Sequence, residues 1–190
     1  TDTFTFSSLG LSRRYRAIAH DTLDAVMTGV SFTWVSSNGS VVLLDSVTAT
    51  TARATSAANG VSSVLATAQG FTSAPGASIT VAQVLAAVAL TPPAATIAVT
   101  GTVGLVARGL DANGRFISGG TFTFASDSPS VATVNPASGV VTGVALGTAR
   151  VTATRGVITS NPAVVTVSTT VPAALSFGRD TLSVGRGTST

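Results

Sequence analysis

The feature that most constrains this 190-residue chain is that it repeats itself. Residues 15–45 superpose without a gap on residues 105–135, at an offset of 90. Ala17, Asp21, Gly29, Phe32, Thr33, Ser36, Ser40 and Val41 meet Ala107, Asp111, Gly119, Phe122, Thr123, Ser126, Ser130 and Val131. A second block pairs residues 62–81 with 148–167 at an offset of 86, and Gly70, Ala77, Thr80 and Val81 recur in it. Solenoid units run ~20–50 residues, so a repeat this long is instead the size of a whole small β domain. Two such domains can each bury a core without covalent staples.

That last point matters because the chain has no cysteine, which excludes disulfides and thiolate metal sites. Lysine and glutamate are absent as well, so every basic side chain is Arg and every acid Asp. The net charge is only +3, and the arginines are scattered apart from Arg13, Arg14 and Arg16. Those three read as a solvated strand end, and no nucleic-acid partner is expected. The longest apolar run, residues 84–90, falls well short of the ~18–20 residues of a membrane helix, so no spanning segment is expected. Charged residues make up 9% of the chain, against ~25% in ordinary soluble domains. Either much of the surface meets neighbours, as in a fibre, coat or lattice, or a biased base composition set the residue usage.

Short runs of alternating polarity recur between turn signals, the pattern of an all-β sandwich. In the second repeat, residues 103–108 and 121–125 flank the turn Asp111-Ala-Asn-Gly114, whose Asn-Gly supplies positive φ. Residues 131–134, 140–142, 148–154 and 163–168 complete the second sandwich. Phe122 and Phe124, like Phe32 and Trp34, share one strand face and are expected to anchor one sheet on the other.

The connector 82–89 recurs as 168–174, with Val84, Ala86, Ala87 and Val88 matched by Val171, Ala173, Ala174 and Leu175 at an offset of 87. Both copies are short and apolar, unlike a flexible Gly/Ser linker, so successive domains should be stiffly related. Past Val171 a third repeat begins, with Leu182 and Val184 matching Ile97 and Val99. Residues 171–190 cannot close a sandwich alone. Either the chain is a segment of a longer repetitive protein, or this strand completes a domain in another subunit by strand addition. Residue Thr1 opens on no secretory signal, as expected of a mature or internal fragment.

Catalytic constellations are hard to build from this inventory. His20 is the single histidine, and with no Cys, Lys or Glu most nucleophile–base pairs are unavailable. His20, Asp21 and Asp24 form one polar cluster, read as a strand end at a turn. Asp111 and Asn113 open like an EF-hand loop and are weak calcium candidates, since the remaining ligands and the closing Glu are missing. No cofactor is expected.

The stretch 122–154, FTFASDSPSVATVNPASGVVTGVALGTARVTAT, resembles the group 2 bacterial immunoglobulin-like domain. The family's S-x-x-S-V-A-x-V, G-x-V-T-G, G-T-A-x-V-T-A-T and V-T-V segments stand at residues 126–134, 139–143, 147–154 and 165–167. The first repeat keeps residues 32–44 and the closing Ile79-Thr-Val81, but departs between Ser46 and Val61, where the glycine motifs are lost and four residues are gained. That stretch could be an added contact loop. The resemblance implies an all-β chain of tandem immunoglobulin-like β-sandwich domains. Residues 1–83 would be a divergent first domain, 84–170 a second, and 171–190 the start of an incomplete third.

It also implies an extracellular or cell-surface location, or a virion. The expected function is non-enzymatic: a structural module of a bacterial filament, stalk or surface layer that self-associates into a fibre or lattice. The expected assembly residues are Phe4, Phe6, Leu175, Phe177, Leu182 and Val184. The alternative is an adhesin or phage virion module that recognises a surface glycan or receptor through Phe71, Phe116 or residues 46–61.

Overall fold

The computed structural model describes residues 2–169, and every regular element in it is a strand. The first unit comprises β1 (Thr3–Phe6), β2 (Ser12–Arg16), β3 (Ala19–His20), β4 (Val26–Met27), β5 (Thr33–Ser36), β6 (Val42–Asp45), β7 (Thr51–Ser56), β8 (Gly60–Ala68), β9 (Phe71–Thr72) and β10 (Ala77–Val81). The second comprises β11 (Ala87–Thr91), β12 (Ala94–Ile97), β13 (Thr102–Gly104), β14 (Val106–Leu110), β15 (Phe116–Ile117), β16 (Thr123–Ser126), β17 (Ala132–Val134), β18 (Val140–Gly143), β19 (Gly147–Arg155), β20 (Ile158–Thr159) and β21 (Ala163–Val167). Among the described residues no helix is long and apolar enough to cross a membrane.

Each unit places a larger sheet against smaller ones. The larger sheets run β1-β10-β8-β5 and β12-β21-β19-β16, with β9 and β20 hanging on β8 and β19. In both, the first strand pairs in parallel with the last and the other pairings are antiparallel. Opposite them lie β2-β7-β6 and β13-β18-β17. Alternation fills the space between: on β19 Ala149, Val151 and Ala153 point inward with no exposure while Arg150 faces solvent. Val141 and Val165 complete that layer, and Val42, Ala54 and Ile79 do the same for the first unit. The two cores are separate clusters.

The third pairing differs between the units. In the second, β14 carries β15 on one edge and β11 on the other; in the first, β3 pairs with β4 alone. The β3–β4 register repeats that of β14–β15 at an offset of 90, Ala19 opposite Met27 as Gly109 is opposite Ile117.

Several sequence expectations need correction. The Asp111–Gly114 turn joins β14 to β15, whereas residues 123–126 pair with β19 in the other sheet, so the two runs flanking the turn form no hairpin. Phe116 and Ile117 were too short a run to announce a strand. The offset of 86 also fails over β8 and β9. Gly60 and Gly147 share φ near +145° and lie close against Val41 and Val131, and the Oγ atoms of Ser73 and Ser160 accept from Ala66 and Ala153 N–H; the glycines, the serines and the alanines each stand at an offset of 87. In a strand a one-residue slip exchanges the two faces, so burial settles the register. The four extra residues are thus split: three enter between β6 and β7, and one between Ser73 and Ala77. Residues 46–61 are accordingly no free loop. Six of them form β7, where Ala52 and Ala54 are wholly buried between β2 and β6, and residues 60–61 open β8.

Candidate functional site

Two places gather polar or aromatic side chains into a defined geometry: the joint between the units and a cleft in the first. The connector begins as a continuation of β10. Ala82 N–H donates to Phe6 O and Val84 N–H to Ser7 O, before Ala86 N–H crosses to Leu110 O in the second unit. Between these bonds Gln83 turns inward. Its N–H donates to Asn59 Oδ1 at 2.8 Å, and Asn59 Nδ2 donates back to Gln83 Oε1 at 3.1 Å. Its Nε2 then donates to Asp111 Oδ2 at 2.9 Å and to Phe116 O at 3.3 Å.

Asp111 is the centre of the joint and is 2% exposed. Its Oδ1 accepts the N–H groups of Asn113 and Arg115, an Asx turn that shapes the β14–β15 corner. Its Oδ2 accepts Leu9 N–H at 2.9 Å as well as Gln83, and Asn113 Nδ2 donates to Leu9 O at 2.8 Å. Desolvation pushes the carboxyl's pKa up, but the bonds from Gln83, Leu9, Arg115 and Asn113 outweigh it and hold the value at about 2. The residues read as weak calcium ligands therefore serve otherwise. Four N–H donors occupy the carboxylate, and the Asn113 amide turns a donor, not an oxygen, toward Leu9. Among the described residues no group of three or more His, Cys, Asp or Glu converges as metal ligands do.

The cleft lies between β3–β4 and the larger sheet of the first unit and encloses about 860 Å³. Tyr15, Ile18, Trp34, Ala66, Phe71 and Pro75 are among its walls. At the equivalent positions of the second unit the hollow measures about 330 Å³. There Val88 on β11 is 6% exposed in the core, and Leu85 and Leu90 pack beside it. The Arg155 guanidinium lies 5.8 Å from the Phe122 ring, where the first unit has only Ala68 beside Phe32. Tyr15 Oη and Trp34 Nε1 in the cleft walls are buried without a hydrogen-bond partner, a cost of about 1–3 kcal/mol for each such group. Burial pushes the Tyr15 phenol up, with the Arg13 charge opposing and Asp2 adding to it.

The remaining predicted residues are dispersed. Phe6 is 2% exposed and belongs to the first core, so its side chain is unavailable as an assembly contact. Phe4, 37% exposed, meets Phe6 edge to face at 4.9 Å and carries Arg13 over its ring at 4.6 Å. Arg13 also pairs with Asp2 at 3.2 Å, so the basic cluster is partly spent within the unit. His20 Nδ1 lies 2.9 Å from Asp24 Oδ1 at an exposed turn. Phe71 is 82% exposed at the cleft rim, and Phe116 sits 4.8 Å under Arg108. Leu175, Phe177, Leu182 and Val184 lie outside the described residues. Sequence reasoning missed Leu9, Asn59 and Gln83; the one available signal was a glutamine set in an otherwise apolar connector.

Residues 84–167 match the family model described as Bacterial Ig-like domain (group 2). No curated protein matches the chain. Among solved structures it is similar to surface layer protein SbsC, domains 4–9, at 21% identity over 83% of this chain and 25% of that one, with a TM-score of 0.47. Domains 4 and 5 of the same protein align at 21% identity over 79% and 78% of the two chains, with a TM-score of 0.44. InvD of Yersinia pseudotuberculosis aligns at 19% identity over 87% and 55%, with a TM-score of 0.37. The chain spans about a quarter of the length of the longer surface-layer structures, 23% and 25%. The chain is a tandem of immunoglobulin-like β-sandwiches, the second of which matches the model of the group 2 bacterial immunoglobulin-like domain over residues 84–167.

Proposed function

We propose that this chain is a non-enzymatic structural module of an extracellular bacterial filament, stalk or surface layer, in which stiffly linked sandwiches set a fixed spacing and copies self-associate into a fibre or lattice. The joint carries this reading. A linker that only tethers two domains leaves its polar groups to water, whereas Gln83 and Asp111 spend theirs on bonds between units. Each bond is modest, about 0.5–1.5 kcal/mol net, but together they restrict the angle between sandwiches, which a spacer or lattice unit requires and a freely hinged receptor-binding tip does not. The scarcity of charge fits a surface that meets neighbours.

A second reading, an adhesin or virion module for a surface glycan or receptor, is favoured by Phe71, which stands 82% exposed. The deciding experiment is electron microscopy of the producing bacteria with immunogold against this chain. Gold along regular filaments or a lattice supports the structural reading. Gold only at the free tips of isolated rods favours the adhesin, and a wholly intracellular signal sinks both.

A further inference from the structure

We propose that Asn113 is a site of spontaneous deamidation gated by the joint, and that its conversion to aspartate or isoaspartate unlocks the joint for good. The chemistry depends on the joint alone, whatever the module builds.

The chain has five asparagines, and three of them, Asn38, Asn59 and Asn113, precede glycine. A glycine nitrogen is unhindered by any side chain on its own residue, so it can close on the neighbouring carboxamide. At Asn113 the Gly114 nitrogen gives up its proton and bonds to Cγ. The Cγ–Nδ2 bond breaks, and ammonia leaves with that proton. Water then opens the five-membered imide: attack at Cγ gives aspartate, and attack at the main-chain carbonyl gives isoaspartate. Water is consumed, ammonia is released, and nothing is oxidised or reduced. The other two asparagines, Asn135 and Asn161, precede proline, whose nitrogen has no proton to give up.

The three Asn-Gly pairs are held differently. Asn113 Nδ2 donates to Leu9 O at 2.8 Å, and Gly114 N–H donates to Asp111 O at 2.9 Å. Ring closure must take the carboxamide off Leu9 and that N–H off Asp111, so the closed joint opposes it. Asn59 is clamped by Gln83 through both its Oδ1 and its Nδ2. Asn38, between β5 and β6, makes its bonds within the first unit: its N–H donates to Ser62 Oγ and its Oδ1 accepts Ser40 N–H at 3.2 Å. Gly39 N–H, the nucleophile there, has no hydrogen-bond partner among the described residues.

Deamidation at Asn113 therefore draws on the fraction of time the joint is open. Its product cannot restore the joint. The donor that faced Leu9 O becomes a carboxylate oxygen, in the same turn as the Asp111 carboxylate that accepts Leu9 N–H. Oxygen then faces oxygen, and two like charges share one turn. Isoaspartate also lengthens the turn's backbone by a carbon.

The test incubates the full chain in mildly alkaline buffer and follows each site by peptide mapping. Trypsin cuts after arginine, so Asn38, Asn59 and Asn113 fall in separate peptides, residues 17–53, 54–108 and 109–115. The mass gain of NH₂ becoming OH marks conversion in each. In the parent, Asn113 should convert about tenfold more slowly than Asn38, the factor that two hydrogen bonds of ordinary net strength supply. Gln83→Ala removes a joint donor and should speed conversion at Asn113 and Asn59 severalfold while leaving Asn38 unchanged. An Asn113→Asp variant carries the product from the start; it should keep the parent's circular dichroism and show a broader small-angle scattering distribution of maximum dimensions. Conversion at Asn113 as fast as at Asn38, or at a rate that Gln83→Ala does not change, removes the joint as the gate and overturns the proposal. So does an Asn113 left intact in the Gln83→Ala chain after Asn38 is spent, and so does an Asn113→Asp chain that scatters as the parent does. None of these outcomes touches the structural-module reading, which the microscopy decides separately.

Discussion

Leu9 donates its backbone N–H to Asp111 Oδ2 at 2.9 Å across 102 residues of chain, and this bond ties the first sandwich to the second. The same oxygen accepts from Gln83 at the hinge itself. The angle between the units is therefore set by a carboxylate that three chain segments share.

Substituting Asp111→Asn keeps the size but turns an NH₂ toward one set of donors, so either Leu9 and Gln83 or the Asx turn loses its acceptor. Gln83→Ala removes the hinge donor and leaves the turn intact. Both variants should fold as two sandwiches, and small-angle X-ray scattering should report a broader distribution of maximum dimensions than in the parent. An unchanged distribution for both would show that the joint does not set the angle.

The same carboxylate makes the joint sensitive to acid. Its pKa of about 2 lies below the ordinary ~3.9 of an unfolded aspartate, so its contribution is complete above ~3.9 and is lost as the pH falls toward 2. Asp127, held down by the backbone N–H of Arg150, and Asp45, held down by Arg53, act in the same direction. Thermal unfolding followed between pH 5 and 2 should show midpoints falling through that window. The fall should be shallower in the Asp111→Asn variant, which no longer carries that titration.

Much of this architecture was legible because small alternating residues leave few choices. The burial of Ala149, Val151 and Ala153 follows directly from period-two spacing, and the Gly139, Gly143 and Gly147 corners frame β18 and the start of β19 as the motifs implied. What was hidden depended on pairing between distant segments. Asp111 in a D-x-N-G turn reads the same whether its second oxygen faces a cation or Leu9, and only the fold brings residue 9 to residue 111. The cleft was hidden for a similar reason: the alignment matched residues present in both repeats, whereas the cleft's walls differ between them, Ala68 standing where the second unit has Arg155 beside Phe122. The register slip over β8 escaped because Ala, Ser, Thr and Val recur so densely that adjacent offsets both find matches.

The two cores should respond independently to mutation. Ile79 is wholly buried in the first cluster, and none of the residues it packs with belongs to the second. Ile79→Ala should cost the first unit about 2–5 kcal/mol through lost burial and the cavity left behind. Differential scanning calorimetry should show one transition moving down while the other stays. A joint shift of both would mean that the sandwiches unfold as one cooperative unit, and that the joint contributes more than its individual bonds suggest.

Glycine substitutions should separate conformational strain from lack of space. Gly139 (φ 71°) and Gly114 (φ 71°) share the left-handed conformation, but their surroundings differ. A Cβ on Gly139 would stand 2.5 Å from Leu105 O and 2.7 Å from Phe124 Cζ, whereas one on Gly114 would meet nothing within 4 Å. Gly114→Ala therefore carries only the backbone penalty of about 1–2 kcal/mol. Gly139→Ala adds a clash with a carbonyl that itself accepts no relief, since Gly139 O is bonded to Leu105 N–H at 3.0 Å and holds the two strands together. The second unit's urea midpoint should fall markedly further for Gly139→Ala than for Gly114→Ala at unchanged m-value. Equal losses would show that β13 can move away from the β17–β18 corner and that the close approach there is not fixed by the glycine.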